Sequence, residues 1–533
     1  MALTRVRNRM TAGVPASVLD FNDAAGDGAT DARAAVVAAM ATGVYHFPPG
    51  TYRITANLTL TGSFSFSPGA VIRPASGVTV TVAGLILAER HRIFDTSGGG
   101  TIVAATGTER PVTHAYPEWW GAAPGVAGAS AHIQAAIDFL QNANGGTVYL
   151  NGWYVCSEIL FVRSRVRIEG QGPVYGTGLI TGGGIGKSTT LDFSTAPSGT
   201  GAFLVQNGNV DISGFELVNV GIFRNPPEPK TALSVGLHLV ATQHFRVVHC
   251  MIFGFAIGCQ LNDNVNPNAT MASSDGVFDH CFIGGGGRNC LILGGCAGIS
   301  FRDCVVSSGE PNLDAFVLVG RGIAGMKADT ITFIDCRIIY LSSNAAGKPA
   351  SLIRITDGMW INFIRTDIEG AAAEGILVQR DATASHQDIG LKTIDVSNCW
   401  FDGCKRCVVF SGFRASGRIE NCRLENVFSG SPGTSVIAVE YTTLVDSDIL
   451  IRGNNIRSSG ATGGIVVGNA SGVRITENYI YTADVGIAAP GIVLAANATS
   501  TIVTSNRVRS NHASPISNGG SGNNVADNIV TTV

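Results

Sequence analysis

The sequence predicts an all-β fold: a right-handed parallel β-helix solenoid with a small N-terminal head and capping domain. Two observations predict it. Glycine accounts for 68 of the 533 residues while proline accounts for only 19, a balance typical of sharp turns between short strands and not of low-complexity disorder. From residue 245 onward, short apolar segments bounded by Gly, Asn, Asp and Ser recur at a loose period, which indicates stacked repeats.

Aligning these segments on their apolar positions brings one column of mostly small residues into register. We call this column the turn ladder. Its members, spaced 22 to 33 residues apart, are Cys250, Cys281, Cys304, Cys336, Thr366, Cys399, Cys422, Asn454, Asn478, Asn506 and Asn528. The positions three before and two after the ladder are apolar in each coil from Cys250 to Asn506. This pattern predicts coils that bury inward side chains on both sides of a bend, with reduced cysteines behaving as small apolar residues.

Residues 1–115 and 116–533 are predicted to be two units, because the same composite pattern opens both. A polar Gly-rich segment leads into an Ala-rich amphipathic helix, and an aromatic strand follows. In the first unit we expect the helix over Asp31–Ala41 and the strand over Val44–Phe47. Such helices are expected to cap the ends of a stack.

In the second unit, Ser130 is expected to cap the helix, because its hydroxyl can accept a backbone N–H of the first turn. Gly145 and Gly146 are expected to end this helix, and Thr147–Leu150 follows as a strand. The apolar residues spaced to share one face of the helix are Ile133, Ala136, Ile137 and Leu140.

Composition and charge exclude several classes of function. The net charge is −3 and 14% of residues are charged, with no basic stripe, so we expect no nucleic-acid partner. No apolar run reaches 18 residues, so we expect no membrane insertion. The first ten residues carry basic charge but no apolar region follows them, which predicts that there is no Sec-type signal peptide.

Three short motifs resemble known ligand-binding motifs, but each lacks residues that its motif requires. Thr181–Ser188 resembles a phosphate-binding loop, yet that loop needs Gly at its first position and an apolar helix after it. Cys404 and Cys407 have zinc-ligand spacing without a second pair, which favours a tight turn between strands. Asp446–Asp448, placed at a strand start on the surface, lacks the Gly and Glu of a calcium loop. We predict no metal and no cofactor.

The outward positions three residues after the ladder carry acids in three consecutive coils: Glu369, Asp402 and Glu425. Stacked strands are roughly 4.8 Å apart, so neighbouring acids would start about that far apart. Paired carboxylates at such separations cleave glycosidic bonds. The alternative is that this face is only solvent-exposed and that the three acids stand in consecutive coils by coincidence. Stacked like charges destabilise a sheet, which argues against coincidence.

The same face carries rings and guanidinium groups, which suit a sugar chain because aromatics stack on its C–H faces and charged groups bind its hydroxyls. The predicted substrate-binding residues are Trp400, Arg337, Asp367, Arg423, Arg457, Tyr479 and Tyr481. Further outward acids expected in loops beside this face are Glu310, Asp314 and Glu374.

The neighbours of the three acids suggest their roles. Glu369 has Ile339 on one side and Asp402 on the other, so apolar contact and like-charge repulsion should raise its pKa and keep it a proton donor. Glu425 lies beside Arg457 and should stay ionised. Asp402 is then the expected base that activates water, with Glu425 orienting the water or replacing Asp402. We expect an inverting reaction, since splayed side chains would leave space for that water.

Several segments carry a family resemblance. The segments concerned are Asp20-Phe21, Gly26–Asp31 and Phe47–Tyr52, then Tyr116–Ala122, Ile133–Ile137 and Gly145–Leu150. The first group resembles the opening of the pectate-lyase-like superfamily found in phage tailspikes and polysaccharide depolymerases, and the second is similar to the second such opening in those proteins. Thr4–Met10 resembles the head segment that joins tailspikes to the virion. The chain departs from the pattern by one extra residue before Gly26 and by Pro124–Ala131 in place of Gly-Asp-Gly.

The resemblance implies a homotrimeric tailspike of the virion that binds and cleaves a bacterial surface polysaccharide (capsule, O-antigen or exopolysaccharide). It implies a phage tail or baseplate partner at the N-terminal segment, and synthesis in the host cytoplasm without a signal peptide. It does not transfer catalytic residues, because members include endoglycosidases, lyases and non-cleaving adhesins. Glycoside hydrolysis is the prediction from the acids. A lyase using Arg337, Arg423 or Tyr481, or an adhesin without turnover, are the alternatives.

Overall fold

The computed structural model describes residues 15–21, 26–106, 112–163, 165–172, 189–206, 212–229, 231–262, 273–284, 287–308, 315–320, 328–340, 348–380, 394–412, 415–426, 435–459, 462–482 and 488–532. The chain divides into two compact units, the first comprising Met1–Pro197 with Ile212–Gly221 and the second Ser198–Asp211 with Ile222–Val533. The N-terminal segment Thr4–Met10 and the loop Thr181–Ser188 lie outside the described residues.

The first unit begins with three small parallel sheets and a short helix, Arg33–Met40. The sheets contain Ala16–Ser17, Val44–Phe47, Ser63–Phe66 and Leu85–Leu87; Asp27–Asp31, Gly50–Ile54 and Ala70–Pro74; and Leu58–Leu60, Thr79–Val82 and Thr101–Ala104. Inward rings stack between coils, with centroids 4.7 Å apart for Phe47 and Phe66. The predicted helix and the strand Val44–Phe47 are confirmed. The predicted boundary after residue 115 stays a prediction.

The second helix of the first unit is Ala129–Asn142. Its predicted inner face is confirmed, because Ile133, Ala136, Ile137 and Leu140 are fully buried. The predicted cap is wrong: Gly128 holds the N-cap position. Ser130 lies inside the first turn, where its hydroxyl accepts the backbone N–H groups of Ser157 and Glu158 at 2.9 and 3.2 Å. Its oxygen therefore accepts hydrogen bonds from the loop between the strands Trp153–Val155 and Leu160–Val162 instead of capping the helix.

The remaining elements of the first unit are short. Two 3-10 helices span Val18–Asp20 and Pro117–Trp120. The strands are His114–Ala115, Gly146–Tyr149, Trp153–Val155, Leu160–Val162, Val166–Glu169, Thr190–Asp192, Ile212–Ser213 and Glu216–Val218. Gly221–Phe223 follows at the chain boundary between the units. The strand predicted over 147–150 is thus observed one residue earlier.

The second unit is a right-handed parallel β-helix whose coils have three sides. Side 1 contains Phe203–Val205, Val235–Leu239, Ile257–Leu261, Arg288–Ile292, Val317–Val319, Ser351–Ile355, Glu374–Arg380, Arg406–Gly412, Ile492–Leu494 and Ile516–Asn518. Side 2 contains Thr242–Gln243, Arg246–Val248, Ser273–Ser274, Val277–Asp279, Cys296–Arg302, Asp329–Ile334, Met359–Ile364, Ile394–Ser397, Gly417–Glu420, Ile502–Thr504 and Asn524–Ala526. The long strands Ile437–Arg452 and Ile465–Thr476 run from side 1 into side 2.

Side 3 forms its own parallel sheet. Its strands in the second unit are Met251–Phe253, Phe282–Gly284, Val305–Ser308, Arg337–Tyr340, Asp367–Glu369, Trp400–Asp402, Arg423–Glu425, Asn455–Arg457, Tyr479–Tyr481, Arg507–Ser510 and Ile529–Thr532. Among the described residues, no helix is long and apolar enough to cross a membrane.

The turn ladder is confirmed and lies at the bend between sides 2 and 3. Its members from Cys250 to Asn506 are at most 2% exposed, and the twelve cysteines are unbridged. The residue before each rung has a positive φ, as in His280 at 50°, so the same left-handed turn is repeated. In the C-terminal rungs, the Nδ2 of Asn454 donates to Oδ1 of Asn478 at 2.9 Å, and Asn478 donates likewise to Asn506.

The inward apolar columns are confirmed as well. On side 2, the rings of Phe278, Phe301, Phe333 and Phe363 stack in file, with neighbouring centroids 4.6, 4.6 and 5.2 Å apart. Each ladder residue and each inward ring packs against its equivalent in the next coil. These buried contacts determine the register between neighbouring coils. Alternate residues on each strand therefore point outward at known positions.

Candidate functional site

Side 3 carries two outward columns that run across the coils. The first contains Ile339, Glu369, Asp402, Glu425, Arg457, Tyr481 and Arg509, and the second contains Arg337, Asp367, Trp400, Arg423, Asn455, Tyr479 and Arg507. The structure thus brings the predicted site residues onto one face in the predicted order. Between strands this close, facing side chains of neighbouring coils are in reach of one another.

Glu369 and Asp402 are register partners on adjacent strands. Burial raises the pKa of the Glu369 carboxyl, the charge of Asp367 raises it further, Arg337 opposes this, and Asp402 adds a smaller increase. The predicted direction is confirmed, but the acidic neighbour with the larger effect on Glu369 is Asp367 and not Asp402. A carboxyl shifted this way holds its proton to higher pH and can act as an acid.

Asp402 lies at the end of its strand, next to a turn. One of its carboxylate oxygens, Oδ1, accepts the backbone N–H of Gly403 at 2.7 Å. The side chain is therefore oriented by its own turn. Asp402 is half-buried, and its carboxylate retains acceptor positions for a water molecule.

Glu425 is held by an arginine on its own strand. The Nε of Arg423 donates to Oε1 of Glu425 at 2.7 Å, and the Glu425 side chain is only 14% exposed. Arg457 was the expected neighbour and is its register partner, but the observed ion pair is with Arg423. Arg337 and Asp367 make a looser pair, with Nε and Oδ2 3.7 Å apart.

Aromatic rings and guanidinium groups alternate along this face. Arg423 lies over the ring of Trp400, with its Cζ 5.7 Å from the centroid. Two further pairs of the same kind are Arg507 over Tyr479 at 5.7 Å and Arg509 over Tyr481 at 5.5 Å. The sequence already places Arg507 and Arg509 in these two outward columns, although neither was among the predicted substrate-binding residues.

A shallow depression of about 360 Å³ lies in this part of side 3. It is lined by Arg423, Glu425, Asn455, Arg457, Tyr479 and Tyr481. The lining combines guanidinium donors, phenol hydroxyls and one carboxylate, which are groups that orient a hydroxylated ligand. The depression lies C-terminal to Glu369 and Asp402 along the same columns.

The runner-up acids do not join this face. Glu310 and Asp314 lie outside the described residues. The placement of Glu374 in a loop is wrong, because it opens a strand of side 1 and is 7% exposed. Its two carboxylate oxygens accept hydrogen bonds from Ser351 at 2.9 Å and from Arg406 at 2.6 Å. Both oxygens are therefore engaged in hydrogen bonds within the fold.

The cysteine pair and the aspartate pair are structural. Cys404 and Cys407 are buried on either side of the turn that precedes the strand Arg406–Gly412, as expected. Asp446 and Asp448 are exposed as expected, but they lie within the long strand Ile437–Arg452 and not at a strand start.

Sequence reasoning missed an acidic pair on side 2. Burial and the charge of Glu420 raise the pKa of Asp395, and Glu420 is ion-paired with Arg452 at 2.8 Å. These outward residues precede the ladder, whereas only the columns that follow it were considered. Asp279, His280 and Asp303 also approach one another closely enough to hold a metal ion, with Asp279 half-buried and the other two exposed, several coils away from Glu369.

Comparison with known proteins agrees with this architecture. Residues 351–532 match the family described as right handed beta helix region. That stretch contains both acids of the Glu369 and Asp402 pair. No curated protein matches the chain in sequence.

Solved structures resemble the chain at low identity. A Geobacillus virus E2 protein, ORF18, is 15% identical with a TM-score of 0.46, over 63% of this chain and 62% of that one. DFA-IIIase from Arthrobacter chlorophenolicus is 15% identical with a TM-score of 0.49, over 79% and 99%. The mannuronan C-5 epimerase AlgE4 A-module from Azotobacter vinelandii is 15% identical with a TM-score of 0.40, over 79% and 96%. This chain spans about 62% of the length of the viral protein, and similarities at this level do not determine an activity.

Proposed function

We propose that this chain is a phage tailspike that binds a bacterial surface polysaccharide along side 3 and hydrolyses it there. The observation that carries the proposal is the register pairing of Glu369 with Asp402, combined with the raised pKa of Glu369. Glycoside hydrolysis needs two carboxyl groups side by side, one to donate a proton and one to accept it.

In the proposed mechanism, Glu369 protonates the oxygen of the leaving sugar. Asp402, oriented by the N–H of Gly403, removes a proton from the attacking water. Glu425 is held by Arg423 and positions that water from the next coil, or serves as base in place of Asp402. Strands roughly 4.8 Å apart put the carboxyl groups near the boundary between retaining and inverting geometries, and splayed side chains favour inversion.

A polysaccharide lyase is the second candidate, favoured by the lining of the depression. Elimination requires a base near C5 of a uronic acid and a cation that neutralises its carboxylate. Tyr481 and Arg423 line the same depression and could fill these roles. A non-cleaving adhesin would use the same rings and arginines without turnover.

The assembly proposal rests on family resemblance. The chain would form a closed trimer in the virion, with its N-terminal segment joined to a tail or baseplate protein. Light scattering of the purified chain at micromolar concentration should give three times the chain mass. A monomeric mass would contradict this part of the proposal and leave the site untouched.

The activity is tested by incubating the purified full chain with capsule, O-antigen and exopolysaccharide preparations and following polymer length by size-exclusion chromatography. We expect one preparation to shorten with the parent chain and to stay intact with the double variant Glu369→Gln/Asp402→Asn. Asp448→Asn, an exposed acid ion-paired to Arg474 outside side 3, is the matched control and should cleave like the parent. Equal cleavage by the double variant would refute the acid pair.

A further inference from the structure

The sign of the charge on side 3 changes along the solenoid. On the four strands from Arg423–Glu425 to Arg507–Ser510, the outward residues include four arginines and a single acid, Glu425. Four cations and one anion give this stretch a local charge of +3, although the net charge of the chain is −3. We call these outward residues the arginine stretch.

We propose that the arginine stretch binds the acidic groups of an anionic polysaccharide, so that the substrate is a polymer carrying carboxylate groups, either as uronic acids or as pyruvate substituents. This inference rests on the proposed function and specifies its substrate class. The guanidinium group offers a planar fork of donors that matches a carboxylate or phosphate. Neutral sugars need rings and hydroxyl partners but do not need an excess of three cations.

The two C-terminal arginines are built to present that fork. Arg507 and Arg509 lie over Tyr479 and Tyr481, and within the part of the chain that the structure describes neither forms an ion pair with a carboxylate. Stacking on a ring restricts a long side chain while leaving its N–H groups directed outward. The sheet therefore holds two adjacent cations in place before any ligand arrives, which lowers the entropic cost of binding.

The position of these cations determines which kinetic constant they affect. With coils roughly 4.8 Å apart, Arg457 lies about 10 Å and Arg509 about 19 Å along the sheet from Asp402. Contacts this far from the cleaved bond are made equally in the ground state and in the transition state. They should therefore lower KM and leave kcat unchanged.

Single-stranded nucleic acid is the other anionic polymer that rings and arginines bind. Nucleic acid carries a charge on every nucleotide, so the negative net charge of the chain opposes it outside this stretch more strongly than it opposes a polysaccharide whose acidic groups are spaced further apart. Binding of poly(dT) as tight as that of any polysaccharide would overturn our assignment in favour of nucleic acid.

The test is a panel of purified capsular and O-antigen polysaccharides, half of them anionic and half neutral, bound to the full-length Glu369→Gln variant. We expect binding to an anionic polymer, weakened by about tenfold or more when its carboxylates are reduced to alcohols and weakened also by 0.5 M salt. Binding of a neutral polymer, or affinity that survives carboxyl reduction, overturns this inference and leaves the proposed function standing. Binding to no polymer counts against both.

The matched variants are Arg507→Gln/Arg509→Gln and, as control, Arg246→Gln, which removes an exposed arginine on side 2. The double variant in the active chain should raise KM for the anionic polymer about tenfold, with kcat within about twofold. It should bind the carboxyl-reduced polymer as the parent does. A loss of equal size toward the reduced polymer would mean that the arginines only support the rings, and this would overturn the proposal.

Discussion

The N-terminal and C-terminal halves of side 3 share an apolar inward column but differ in their outward residues. Upstream of Arg337, the outward residues are apolar or small: the ring centroids of Phe253 and Phe282 lie 6.3 Å apart, and Ser307 is fully buried, donating to the carbonyl of Ile339. From Asp367 onward they are mainly acids, rings and arginines. Since the apolar inward column of side 3 continues from Ile252 to Val508, the exterior residues of the C-terminal half are not required by the fold, which is why we propose a function for them.

The largest expected effect is that of the acid pair in the C-terminal half. Glu369→Gln and Asp402→Asn should each lower kcat by about a hundredfold or more, the scale on which general acids and bases act, with the chain still folded. Glu425→Gln should cost less if Asp402 is the base. Initial rates of reducing-end release measure kcat for each variant.

The competing acidic pair on side 2 is tested by Asp395→Asn. A larger loss of kcat in this variant than in Glu369→Gln would place the active site on side 2.

Inside the solenoid, the turn ladder has cysteine rungs in its N-terminal part and asparagine rungs in its C-terminal part, and the two kinds should differ in their contribution to stability. Asn478→Ala removes the donors to Asn506 and Ile451 and the acceptor of the Asn454 N–H, so it should lower the free energy of unfolding by roughly 2–5 kcal/mol. Cys399→Ala removes only a small buried group and should cost about 1 kcal/mol. Guanidinium denaturation of both variants compares them. Equal costs would show that the asparagine rungs are no more than space-filling.

The aromatic platform should contribute less than the acids. Trp400→Ala removes an exposed ring next to the acid pair and should raise KM about tenfold while leaving kcat nearly unchanged. Trp360→Ala is the matched control, because Trp360 is a similarly exposed tryptophan on side 2. If the two variants behave alike in steady-state kinetics, the ring of Trp400 does not touch the substrate.

The smallest expected effect is a shift in pH dependence. Glu369 acts in its protonated form, and its raised pKa extends activity toward higher pH. Asp367→Asn removes the neighbouring charge that raises this pKa, so the alkaline limb of the pH profile of kcat/KM should move to lower pH. Asp448→Asn should leave the limb in place. A limb that moves to higher pH would mean that another group limits the rate.

The fold was predictable because inward residues of a solenoid repeat at matching positions. The ladder from Cys250 to Asn528 was visible in sequence, and it determined which residues share side 3. Contacts within a face were less predictable: Glu425 lies in register with Arg457 as expected, but its ion pair with Arg423 was not expected, because a two-residue step along a strand is as short as a step between coils. The prediction also placed Glu374 in a loop, because the residues around it do not distinguish the start of a strand from a loop.

The measurement that tests the central claim most directly is the mass of the fragments released from the susceptible polysaccharide in water enriched in ¹⁸O. Hydrolysis by the carboxylates of side 3 predicts fragments heavier than the repeating unit by one water that carries the label, and no fragments from Glu369→Gln/Asp402→Asn. Unlabelled fragments with unsaturated, ultraviolet-absorbing ends would contradict hydrolysis and establish elimination.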